Sequence, residues 1–82
     1  MKSRRIRPGY RFILRDDVDR FPDFIARKGA TGTVLEVNGN SRIIALMDEH
    51  INGAEEWDNH LHWDEGLQDF LSDTRPLKPN SV

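Results

Sequence analysis

Apolar and polar residues alternate along much of the chain, and a period of two marks strands rather than helices. Arg7-Pro8-Gly9 is a turn signal, after which Tyr10, Phe12 and Leu14 fall on one face and Arg11, Ile13 and Arg15 on the other. Asp16 to Asp23 breaks the alternation with four aspartates and Pro22. That stretch reads as a long loop, which Phe21 and Phe24 would pin to the body of the protein.

The pattern resumes in "GATGTVLEV", residues 29 to 37, with "NGN" directly behind it. Thr33, Leu35 and Val37 alternate onto one side of a strand, and Gly29 and Gly32 are expected to supply backbone freedom where the chain turns sharply into it. Asn38-Gly39-Asn40 makes a tight connection, because Asn-Gly tolerates the positive φ of short hairpin turns. Ser41 to Asp48 is the return strand. Three glycines within eleven positions, together with the β-branched residues, argue against helix.

A second loop runs from His50 to Glu56 and contains Asn52-Gly53. Beyond it, Trp57, Asn59, Leu61 and Trp63 take one face of a strand and Asp58, His60 and His62 the other. Asp64-Glu65-Gly66 turns the chain. Leu67, Phe70 and Leu71 fit either a single helical turn or a short last strand. The segment "TRPLKPNSV", residues 74 to 82, carries two prolines and is expected to fray as a flexible tail.

These elements predict a mostly β domain, a small antiparallel β-barrel with a short helical turn near its C-terminal end. The expected divisions are a basic N-terminal arm at 1–8, the barrel at 9–73 and the tail at 74–82. Four or five short strands, a long first loop and a glycine pair before the second strand together resemble the SH3-like barrel superfold. Gly9…Phe12-x-Leu14…Gly29-x-x-Gly32-x-Val34 resembles the KOW-type version found in ribosomal proteins and transcription elongation factors, over residues 9–48. That resemblance implies nucleic-acid binding near the second glycine, where this chain has Ala30, Thr31 and Thr33, with Arg27 and Lys28 just upstream. The whole chain also resembles small bacterial or phage-encoded proteins.

Composition narrows the function. At 82 residues there is room for one core, and with no cysteine neither a disulfide nor a thiolate metal site can reinforce it. The longest apolar run, Ile43 to Met47, is five residues, against the ~20 needed to cross a bilayer. The start "MKSRRIRPG" lacks the apolar stretch of a signal peptide. The expectation is a soluble, cytoplasmic protein with no membrane partner.

The net charge of −2 hides an asymmetry. Five of the twelve basic residues lie in the first eleven positions, whereas Asp48 to Asp73 holds nine acidic residues and no Lys or Arg. Two binding readings follow. The leading one is a non-catalytic module that docks a basic protein partner through the acidic 48–73 surface, with Glu55, Glu56, Trp57 and Asp58 as contacts. The alternative is a nucleic-acid module using Arg4, Arg5, Arg7 and Arg11 with Arg27 and Lys28, binding weakly. Trp63 is assigned to the core, while Trp57, at the loop edge, fits core or ligand contact equally. The oligomeric state is left open.

Other chemistry finds little purchase. His60-x-His62 with Asp58 on the same face has metal-ligand geometry, but no second cluster completes it, so no metal is expected. The aspartates of 16–23 lack the glycine and terminal glutamate of a calcium loop. No nucleophile motif or phosphate loop is present, so neither enzyme activity nor a cofactor is expected.

Overall fold

Alternating burial at Phe12 and Leu14 makes Arg11–Leu14 the first strand, β1, with both side chains turned inward. The computed structural model describes residues 6–20, 22–39, 42–52, 58–64 and 66–77. The remaining elements are β2 (Val18–Arg20), β3 (Phe24–Ala26), β4 (Thr31–Asn38), β5 (Arg42–Met47), β6 (His60–Trp63), a helix α1 (Leu67–Asp73) and β7 (Thr74–Pro76). The protein is therefore mostly β, and every pairing is antiparallel.

One sheet has five strands in the order β6-β5-β4-β1-β7; β2 and β3 form a separate two-stranded hairpin. β6 and β7 are the edges of the large sheet, with no ladder between them among the described residues. The sheet is thus open, which corrects the expectation of a closed barrel. The long loop expected at 16–23 is also revised. It contains the three-residue strand Val18–Arg20, which pairs with Phe24–Ala26 just beyond it; Val18 is opposite Ala26, and both are buried in the core. Phe24 packs against that core as expected, whereas Phe21 lies outside the described residues.

β4 departs from simple alternation. Its pairing with β5 shifts between Val34 and Glu36, leaving Leu35 as an extra residue that is 41% exposed. Such a bulge reverses the parity of the strand. Val34, opposite Ala45, and Val37, opposite Ile43, consequently both face inward although they are three residues apart. The expected common side of Thr33, Leu35 and Val37 is broken by this shift, and of the three only Val37 packs against the core.

The two glycines of the 29–37 stretch do different work. Gly29 sits at φ +95 in the turn before β4, a conformation that glycine adopts without strain. Gly32 is absent from the positive-φ region and serves instead by its lack of a side chain. A Cβ there would stand 2.8 Å from Phe12 Cζ and 2.9 Å from the Leu46 carbonyl oxygen.

α1 carries Phe70 onto the inner face of the sheet. Phe12, Trp63 and Phe70 form an edge-to-face cluster with ring centroids 4.9 to 5.9 Å apart, and all three are almost wholly buried. Burial of side chains this large stabilises by roughly 1.5–3 kcal/mol each, and the perpendicular ring geometry adds to it. Of the two options for Leu67, Phe70 and Leu71, the helical one is realised, and α1 leads directly into β7. Thr74–Pro76, expected to belong to the tail, is paired with β1 at Leu14, Ile13 and Phe12.

Candidate ligand-binding groove

The turn after β2 brings the hairpin over the β6 edge of the sheet. Asp23 N–H donates to the Arg20 carbonyl at 2.8 Å, fixing that turn, and the Arg20 guanidinium donates to the His62 carbonyl at 3.1 Å. One edge carbonyl of the sheet is thereby satisfied by a side chain from the other sheet, a way of blunting an exposed edge. Beside this contact lie two adjoining hollows of about 220 and about 260 Å³, which share Arg20, His62 and Asp64.

Acidic residues dominate the rim. Asp23 and Asp64 line the first hollow with Phe24, His60 and His62; Asp64, Asp69 and Asp73 line the second. Arg42 Nε pairs with Asp64 at 3.1 Å, and Asp73 Oδ2 accepts the Trp63 indole N–H at 2.9 Å. Neither Asp23 nor Asp69 is in an ion pair among the described residues. Phe24 also lines a larger hollow of about 480 Å³, whose wall is apolar at Pro22, Ile25 and Ile51 and polar at Arg27, Glu49, His50 and Asn52. The acidic groove therefore meets, at Phe24, the apolar wall of a second hollow.

The residues singled out in the sequence are placed as follows. Glu55, Glu56 and Trp57 lie outside the described residues, and Asp58 is exposed. Asp58 and Asn59 have φ of 54 and 61, so they form a turn ahead of β6. This corrects the strand expected over 57–63, which begins only at His60, and removes Asp58 from the strand face carrying His60 and His62. Among the described residues no group of three His, Asp or Glu is arranged to hold a metal. Trp63 is buried in the core as expected.

Of the basic set, Arg4 and Arg5 lie outside the described residues and Arg7 is exposed. Arg11 is committed to Asp48, donating Nη1 to Oδ1 at 2.8 Å and Nη2 to Oδ2 at 2.7 Å. Thr31 donates to the same carboxylate at 2.6 Å. The Arg11 guanidinium holds the Asp48 carboxyl down at a pKa of about 2, with help from Thr31. Arg27 pairs with Asp17 at 3.3 Å, and Lys28 N–H donates to the same aspartate.

Neither a family model, nor a curated protein, nor a solved structure matches this chain. No helix among the described residues is long and apolar enough to cross a membrane.

Two residues important to this region carried no signal in the sequence reading. Asn59 is expected on a strand face, yet its side chain holds the backbone at 47–51. Its Nδ2 donates to the Met47 and Glu49 carbonyls at 3.0 and 2.6 Å, and its Oδ1 accepts Ile51 N–H at 3.0 Å. Arg20 lies within the stretch expected to be a loop, and its partner is 42 positions away, beyond the reach of any local pattern.

Proposed function

We propose that the chain is a non-catalytic binding module of the SH3-like kind that docks a basic protein segment against its acidic 48–73 surface. Three features of the fold support the SH3-like reading. The first strand pairs with the last, the connection after β1 folds as a separate hairpin, and a helical turn precedes the closing strand. Binding sites on such folds are set by loops and edges, so function is argued from the groove and not from the fold.

One observation carries the function: Asp64, Asp69 and Asp73 of the acidic stretch converge with Asp23 of the hairpin on one groove that ends at Phe24. Carboxylates gathered at a concave surface attract cationic side chains, and the apolar wall beyond accepts an aliphatic or aromatic neighbour. Glu55, Glu56, Trp57 and Asp58 belong to the same acidic stretch and are assigned to the same partner. A cysteine-free chain suits a reducing cytoplasm, the compartment we assign to it.

The test is the affinity of a labelled Arg/Lys-rich peptide for the wild type and for Asp23→Asn/Asp69→Asn. These carboxylates make no ion pair among the described residues, and the melting temperature of the variant is measured beside its affinity, because Asp69 lies in the first turn of α1. Binding should weaken at least about threefold, mainly through a slower association rate. Equal binding by both proteins rejects the groove as the docking surface.

A further inference from the structure

A cleft of about 560 Å³ opens on another part of the molecule, lined by Ile13, Leu14, Arg15, Lys28, Gly29 and Arg75. Its three cations come from the end of β1, the β3–β4 turn and β7. The backbone holds them side by side. Gly29 N–H donates to the Leu14 carbonyl at 3.0 Å and Leu14 N–H to the Ala30 carbonyl at 2.8 Å, which locks the Lys28 turn against the end of β1. Arg75 is the register partner of Ile13, and Arg15 N–H donates to the Asp73 carbonyl at 2.8 Å. Residues far apart in sequence are thus brought onto one surface.

The other described cations are mostly committed. Arg11, Arg27 and Arg42 are in ion pairs, and Arg20 binds the His62 carbonyl. Arg7, Arg15, Lys28 and Arg75 have no ion pair among the described residues, and three of these four line this one cleft. Of the nearby acids, Asp17 takes Arg27 and the Lys28 amide and also acts electrostatically on Lys28, Asp73 turns its carboxylate to Trp63, and Asp16 adjoins Arg15 in the chain. Gly29 has nothing within 4 Å of where a side chain would project, so that wall of the cleft is open to an approaching chain.

We infer that this cleft binds the phosphodiester backbone of single-stranded nucleic acid. The physical choice among anions is decided by exposure. Water and salt screen exposed cations, so a small monoanion gains little from them. A polyanion gains by releasing its condensed counterions, by about 0.7 in log–log salt slope for each single-strand phosphate neutralised. Half-buried Ile13 at the cleft floor adds an apolar surface for a sugar or base edge. Contacts to phosphate alone carry no sequence information, so such binding is sequence-independent.

The test is anisotropy of a labelled single-stranded oligonucleotide with the full chain, across salt. Three contacts give a slope near −2, or about tenfold weaker binding between about 50 and 150 mM salt. Arg15→Gln/Lys28→Gln/Arg75→Gln should abolish most of that slope with an unchanged melting temperature, and Lys28→Gln alone should reduce it by about a third. Asp23→Asn/Asp69→Asn should retain oligonucleotide binding, which separates this site from the acidic groove. The inference is overturned if low salt gives no binding, or if the triple variant binds as well as wild type. It is equally overturned if truncation of residues 1–7 removes the slope that the triple variant retains.

Discussion

Gly32 on β4 and Phe12 on β1 are register partners, and the side chain that Gly32 lacks is the space Phe12 fills. The ring of Phe12 is fully buried and wedged edge-on against Trp63 and Phe70, so it has nowhere to retreat. Even the smallest side chain at position 32 would also press on the Leu46 carbonyl. Gly32→Ala should therefore cost about 1–3 kcal/mol and Gly32→Val more, read by denaturant titration. Gly29→Ala, where only φ is at stake, should cost about 1 kcal/mol. A double-mutant cycle of Gly32→Ala with Phe12→Leu should show coupling. Additive effects would place the crowding somewhere other than Phe12.

Asn59 combines positive φ with three side-chain hydrogen bonds to the 47–51 backbone. Asparagine tolerates that conformation better than other side chains, so the position demands both its backbone and its amide. Asn59→Ala should lower stability by about 2–3 kcal/mol. Asn59→Gly keeps the backbone and loses only the amide, and should fall between. If glycine were as damaging as alanine, the backbone conformation would contribute nothing.

Arg20→Gln removes the guanidinium that closes the β6 edge. The expected loss is about 1–2 kcal/mol, as for a part-buried hydrogen bond from a charged donor. Amide exchange should quicken in β2, β3 and β6 and stay unchanged in β1 and β4, because the bond joins only those elements. Uniform acceleration would show that the hairpin is no separate unit.

Asp48 gives the fold an acid-sensitive joint. Its carboxyl titrates at about 2, below the ordinary 3.8, because the ionised form accepts from Arg11 and Thr31. A depressed folded-state value means stability that is complete above about pH 4 and is lost as pH falls toward 2. Exposure of both side chains screens the pair and keeps the effect modest. Asp17, held low chiefly by the Lys28 amide, titrates in the same direction and provides a shared background. Asp48→Asn should flatten the decline in melting temperature between pH 4 and 2. An equally steep decline in the variant would assign the acid response to other carboxylates.

Period-two burial was legible in the sequence wherever a strand ran without interruption. Phe12 and Leu14, Ile43, Ala45 and Met47, and Leu61 with Trp63 all turn inward as their spacing requires. β4 was misread because Leu35 is an inserted residue, and a bulge has no composition of its own. The β2–β3 hairpin was hidden by aspartates that mimic a loop, since strands of three residues bury too little to show a pattern. The acidic groove was legible as a stretch of charge. Its shape was not, because Asp23 and Arg20 join it through tertiary contacts that no local pattern encodes.

The pairing of β1 with β7 sets an order of events during synthesis. Phe12 is made 64 positions before its ladder partner Pro76, so a chain emerging from a ribosome must wait with one side of β1 unpaired. β4 can dock against the other side much sooner, and the β4–β5 hairpin needs only local closure. The nascent protein thus passes through a stage with an exposed strand beside an unfilled Phe70 position, the condition under which edges recruit neighbouring chains. Pro76, which has no amide hydrogen to offer, ends that exposure by leaving a poor template on the finished edge.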